Sequence, residues 1–165
     1  MQLKLKLTVA ATIAAVASMA AAQGVTVVKI GNVAPMSGPQ AHYGKDIENG
    51  VRMAIDDMNA QGVVIGGKKV KLELVNEDDA SDPKQGTAAA QKLCDAKVAG
   101  VVGHLNSGTT IPASKVYNDC GIPHVTGAAT NPSLTKPGYK TTFRIIANDN
   151  ALGVGLAMYA AETLK

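Results

Sequence analysis

The chain reads as an α/β protein built on a doubly wound, mostly parallel sheet with helices on both faces. Three observations carry this reading. Runs rich in β-branched residues alternate with stretches of helical period. The connections between them are short. Several of the runs are apolar throughout, as strands covered on both sides are. Apolar residues make up 46% of the 165 residues and charged residues 18%, a globular composition, and this length gives one domain and its core.

The first 22 residues stand apart from that pattern. Residues 1–7 carry Lys4 and Lys6, and residues 7–22 are an uncharged, Ala-rich run ending in Ala20-Ala21-Ala22. A basic start, a short apolar stretch and a small-residue exit predict a secretory signal peptide over residues 1–22, with Gln23 opening the mature chain. The run is shorter than the ~20 residues of a spanning helix and far richer in Ala than in Leu. Of the 16 basic residues, setting aside Lys4 and Lys6 leaves 14 against 13 acidic ones, with no stripe of Lys or Arg. Neither nucleic acid nor an anionic membrane surface is implied as a partner. Aromatic residues are 3% with no Trp, which argues against a base-stacking platform.

The elements follow in order. Residues 25–34 (VTVVKIGNVA) predict a buried strand that ends in a Pro-Met-Ser-Gly loop. Over residues 43–59 the period changes: Ile47, Val51, Ala54, Ile55 and Met58 share one helix face, with Lys45, Asp46, Glu48, Arg52 and Asp56 on the rest. Gly62 supplies a stop and Gly66-Gly67 a turn. Residues 69–77 alternate, with Val70, Leu72 and Leu74 on one side, and predict a strand near a sheet edge with one wet face. Ser81-Asp82-Pro83 then caps a helix running to about residue 95. Residues 98–102 (VAGVV) predict a short buried strand, residues 111–119 a helix stopped by Gly121, residues 124–126 and 142–146 two more strands, and residues 150–165 a last helix.

In an open sheet of this kind, ligands bind beyond the carboxyl ends of the strands. The loops there are residues 35–43, 103–110 and 127–131, which are small and hydroxyl-rich: Ser37, Ser107, Thr109, Thr110 and Thr130. They suit a small polar ligand held by hydrogen bonds. Ser107 lies just before a predicted helix, where free amides and the helix dipole favour an anion, so it is either a carboxylate site or a plain N-cap. Thr130 is a ligand contact or a turn residue, and Tyr43 is a pocket wall or the first residue of its helix.

Other chemistries find no support. There is no G-x-G-x-x-G after the first strand, no Walker A motif and no G-x-S-x-G. His42, His104 and His124 lack ligand spacing and read as loop or surface residues, and no metal site is expected. Glu77, Asp78, Asp79 and Asp82 lack the glycine of a calcium loop and read as a solvated turn. An exported enzyme would need a nucleophile–base pair or a cofactor fingerprint at the strand ends, and neither is present.

Four motifs occur in order: Pro35-Met36-Ser37-Gly38-Pro39 with Tyr43-Gly44, then Asp78-Asp79-Ala80-Ser81-Asp82-Pro83-Lys84-Gln85, then Gly103-His104-Leu105 with Ser107, then Ala128-Ala129-Thr130. Over residues 25–165 the chain resembles the periplasmic leucine/isoleucine/valine-binding proteins of branched-chain amino-acid ABC transporters. The resemblance implies a periplasmic-binding-protein type I fold, in which two α/β lobes close on ligand about a hinge. Residues 23–147 would form the N-terminal lobe, and residues 148–165 the hinge and first helix of the second lobe. The rest of that lobe, and the segments that return to complete the first, would lie outside this chain. It further implies that Ser107 binds the ligand carboxylate, that Thr130 and the Ala128 carbonyl hold the amino and carboxylate groups, and that Tyr43, Leu105, Asn106 and Ala129 line the side-chain pocket. The implied protein is a monomeric periplasmic receptor, without cofactor, that hands a branched-chain amino acid to a membrane permease. The same frame also serves amides, urea and small aromatic acids, or a sensor that regulates another protein.

Two departures stand out. Members of the family carry bridged cysteines at the positions of Ser81 and Asn106. This chain instead has Cys94 and Cys120, near the ends of two helices that the implied fold packs side by side, so they form a bridge or remain two buried thiols. The acidic partner of the ligand ammonium would also come from the second lobe. The chain alone is therefore expected to bind amino acids weakly.

Overall fold

The computed structural model describes residues 25–164, so the expected signal peptide lies outside the described residues. The elements are β1 (Thr26–Ala34), α1 (Ala41–Gln61), β2 (Val63–Ile65), β3 (Lys68–Asp78), α2 (Pro83–Asp95), β4 (Gly100–Gly103), α3 (Ser107–Cys120), β5 (His124–Thr126), a 3-10 turn (Pro132–Leu134), β6 (Thr142–Arg144) and α4 (Asp149–Tyr159). The sheet runs β2-β3-β1-β4-β5-β6. β3, β1, β4, β5 and β6 are parallel and β2 pairs antiparallel with β3. The order reverses between β1 and β4, which opens a crevice at the carboxyl ends of the strands.

Helices cover both faces. On one, α2 and α3 pack Ala89, Ala90, Leu93, Ala113 and Tyr117 against Val33 and Val101 of the sheet. On the other, Val51 and Ile55 of α1 pack on Val70 and Leu72 of β3. Local chemistry sets the ends. The Asp82 side chain accepts from the Gln85 amide at 2.8 Å, ahead of Pro83 at the first helical position. Gly121 ends α3 with φ 72°.

The structure adds an edge strand and a 3-10 turn and adjusts others. Residues 63–65 form an edge strand, because Gly66-Gly67 turns the chain back on itself, so β3 lies one place in from the edge. β4 starts later than predicted: Val98 precedes it and is buried in the α2–α3 cluster instead. α3 begins four residues earlier than predicted, at Ser107. Glu48, expected on the wet face of α1, is buried between Lys45 at 2.6 Å and Arg52. The Lys45 and Arg52 hydrogen bonds hold its carboxyl below the usual range. Asn148 caps α4 through the Ala151 amide at 3.1 Å, and none of the residues of this helix is buried.

Candidate functional site

The loops after β1, β4 and β5 meet in a cleft of about 330 Å³ lined by Gln40, Tyr43, Leu105, Asn106, Ser107, Ala128 and Thr130. No charged side chain lines it. Ser107 is the first residue of α3, and Asn106 is the N-cap, so Ser107 is not a plain cap. The Asn106 carbonyl accepts from the Thr109 and Thr110 amides at 3.1 and 2.9 Å and from their hydroxyls at 2.9 and 2.7 Å. Ser107 Oγ accepts from the Asn131 amide at 3.1 Å, which sets it against the residue after Thr130. Its O–H is left free to donate. The Ser107 and Gly108 amides at the start of α3 have no intrahelical acceptor, and the positive end of the helix faces the same space. The Thr130 carbonyl accepts from the Asp149 amide at 3.0 Å, which anchors this wall of the cleft.

Six of the seven residues expected at the site therefore share one cleft. Ala129, expected as a wall, is fully buried instead; its amide donates to Thr126 Oγ1 at 3.1 Å and its methyl faces the interior. Gln40 was not among the expected residues. Its Oε1 accepts from the Ser81 hydroxyl at 2.7 Å, and its only sequence signal is its place between Pro39 and Tyr43. Asp78 ties the same two loops together, its Oδ1 accepting from the Met36 amide at 2.8 Å and the Ala80 amide at 2.7 Å. Burial pushes the Asp78 carboxyl up, but hydrogen bonds from the Ser37 hydroxyl and the Ala80, Met36 and Ser37 amides outweigh it and hold it below its usual range. Gly44 lets α1 lie on the first loop: a Cβ there would collide with the Pro35 carbonyl.

Two histidines sit beneath the cleft rather than at the surface. His104 and His124 are 0% and 1% exposed. Asp79, expected in a solvated turn, is also fully buried. For His104 and Asp79 the reason is mutual pairing, since buried polar groups need partners, whereas His124 bonds through one ring nitrogen and leaves Nδ1 without a partner. His104 Nδ1 donates to Asp79 Oδ2 at 2.7 Å, and Nε2 lies 3.1 Å from the Tyr117 hydroxyl. His124 Nε2 donates to the Gly103 carbonyl at 2.8 Å and its ring lies 4.9 Å from that of Tyr117. Burial, helped by the neighbouring His104, pushes His124 down to about 4. Burial raises the Tyr117 hydroxyl, aided by the Asp79 charge, so it stays a donor.

A larger groove of about 620 Å³ lies between α1 and the sheet, lined by apolar residues such as Ile30, Ile47, Met58 and Leu72. It offers no polar group to orient a zwitterion. Cys94 and Cys120 join the C-terminal ends of α2 and α3 by a disulfide, their Cα atoms 6.2 Å apart. Among the described residues, no three His, Cys, Asp or Glu side chains are grouped to hold a metal, and no helix is long and apolar enough to cross a membrane.

Known proteins are similar to this chain in sequence and fold. A family described as periplasmic binding protein matches residues 27–165. The leucine-specific-binding protein of Salmonella typhimurium is 42% identical over 155 residues, covering 93% of this chain and 41% of the relative. The branched-chain amino acid transporter substrate binding protein of Streptococcus pneumoniae, solved with isoleucine, is 32% identical with a TM-score of 0.76, covering 84% of this chain and 39% of that one. An ABC transporter substrate-binding protein of Desulfitobacterium hafniense, solved with Leu, is 34% identical with a TM-score of 0.70, covering 82% and 39%. The chain thus spans about two fifths of the length of the relatives it matches. With its parallel sheet, its strand-end cleft and this match over residues 27–165, the chain belongs to the periplasmic binding protein family.

Proposed function

We propose that this chain supplies the carboxylate-binding half of a periplasmic receptor that captures a branched-chain amino acid and delivers it, as a monomer, to an ABC permease. Residues 1–22 direct export. Residues 23–147 form the ligand-binding lobe, and residues 148–165 the hinge and the start of a second lobe. The observation that carries this reading is the Asn131 amide bond to Ser107 Oγ, which puts Ser107 and Thr130 on one cleft. Ser107 then donates to the ligand carboxylate, Thr130 and the Ala128 carbonyl hold its polar groups, and Tyr43, Leu105 and Asn106 flank the side chain. The cleft lacks a nucleophile–base pair, so the ligand leaves as it came. Closure of a second lobe adds the partner of the ammonium group. The relatives named for leucine, and those solved with Leu and isoleucine, support the ligand class.

The test is a titration of the ¹⁵N-labelled chain with L-leucine, followed by NMR, alongside Ser107→Ala. The chain binds weakly, well above the micromolar range. Ser107→Ala raises Kd by about tenfold or more, the loss of one charge-assisted hydrogen bond. Equal Kd values for both proteins refute the site. A second reading follows from the polar wall of the cleft, where Gln40 and Asn106 stand and the Asn106 Oδ1 is buried without a partner. That wall favours amides, urea or small aromatic acids with donors of their own. The same titration with acetamide, urea and 4-hydroxybenzoate decides between them.

A further inference from the structure

We propose that His104 is the positioning residue of the cleft: it touches no ligand but fixes Ser107 against Thr130 by binding three neighbouring elements at once. The inference rests on the cleft being the ligand site, and it names a residue outside the cleft lining. Its side chain spans two partners. The carboxylate of Asp79, just after β3, accepts from Nδ1 at 2.7 Å. Nε2 pairs with the Tyr117 hydroxyl of α3, 3.1 Å away. Its main chain holds a third, since the His104 carbonyl accepts from the Thr126 hydroxyl at 2.9 Å.

Each of these partners is itself fixed. Asp79 Oδ1 accepts from the Ser81 amide at 2.9 Å, and the Asp79 amide donates to the Ala34 carbonyl of β1 at 3.2 Å. Thr126 Oγ1 also accepts from the Ala128 and Ala129 amides at 3.2 and 3.1 Å, which starts the loop that carries Thr130. His124 holds the preceding Gly103 carbonyl at 2.8 Å. His104, Asp79, Tyr117 and Thr126 are all wholly buried. A network satisfied in this way specifies one geometry, because any other leaves buried polar groups unpaired. Ser107 follows His104 by three residues and Thr130 follows Thr126 by four, so one imidazole and one hydroxyl set the spacing of the two walls.

The variants are His104→Phe, which keeps a ring but neither bond; His104→Asn, whose amide can donate to Asp79; and Tyr117→Phe, which removes one hydroxyl. Each is titrated with L-leucine by NMR and unfolded in urea. His104→Phe raises Kd about tenfold, as loss of a supporting partner does elsewhere, and it moves the Ser107 and Thr130 amide resonances before any ligand is added. His104→Asn returns both toward wild type, and Tyr117→Phe, which leaves the Asp79 bond intact, gives a smaller shift of the same sign. Wild-type protein with its Cys94–Cys120 bridge reduced is the control for lost stability, and it keeps the wild-type Kd. Unmoved Ser107 and Thr130 amides in both His104→Phe and Tyr117→Phe overturn the inference, as does a reduced control that binds as weakly as His104→Phe. If leucine leaves the wild-type cleft amides unshifted, the ligand reading fails instead, while the ligand-free amide positions still decide the role of His104.

Discussion

Reducing the Cys94–Cys120 bridge perturbs the molecule at one defined point. The bridge spans a sequence separation of 26 and pins the ends of α2 and α3 over their shared cluster of Leu93, Ala113 and Tyr117. Opening a loop of that length returns about 12 cal/mol/K of chain entropy to the unfolded state, or about 3.5 kcal/mol at 25 °C. With a urea dependence of about 2 kcal/mol/M for a domain of this size, the midpoint falls by about 1.5–2 M. Cys120 is exposed, so reductant reaches it without prior unfolding. The assay compares urea unfolding with and without dithiothreitol, with alkylation and mass spectrometry to count thiols in each sample. Coincident midpoints, or two alkylated thiols in the unreduced exported protein, would show that no bridge stabilises the fold in this way.

Further outcomes follow from the same geometry. Gly44→Ala places a methyl on the Pro35 carbonyl; it lowers stability in urea by about 2 kcal/mol or more and displaces Tyr43 at the cleft. Because His124 sits near 4 in the fold against 6.5 when free, the unfolded chain takes up its proton first as pH falls. Stability is full above about pH 6.5 and drops by about 3 kcal/mol on the way to pH 4. Unfolding measured across that range checks it, and His124→Gln removes most of the slope.

Much of this was legible because it is local. The β-branched run of residues 25–34, the alternation of residues 69–77 and the Asp82-Pro83 cap each write their conformation within a few neighbours, and the structure follows them, except that the strand expected to be buried is buried only over its second half, from Gly31 to Ala34. The cleft loops were legible because small hydroxyl residues cluster where strands end. Three residues of β2 are too few to show a period, so that strand was hidden. The buried polar groups were hidden for another reason. His104 meets Asp79 across 25 residues and Tyr117 across 13, and only the folded sheet brings them together. A histidine without ligand spacing looks like a surface residue until its partners are placed. Ala129 shows the same limit on a smaller scale, since the sequence places the loop but not which of its side chains turn inward.

In the proposed function, hydroxyls and amides at the strand ends hold an amino acid carboxylate. The most direct test maps the amide shifts that L-leucine induces in the labelled chain. Shifts concentrated at Ser107, Gly108 and Thr130, and reproduced by acetate at higher concentration, are the predicted result. Shifts centred on Ile55, Met58 and Leu72 in the apolar groove beside α1, with Ser107 and Thr130 unmoved, would contradict it.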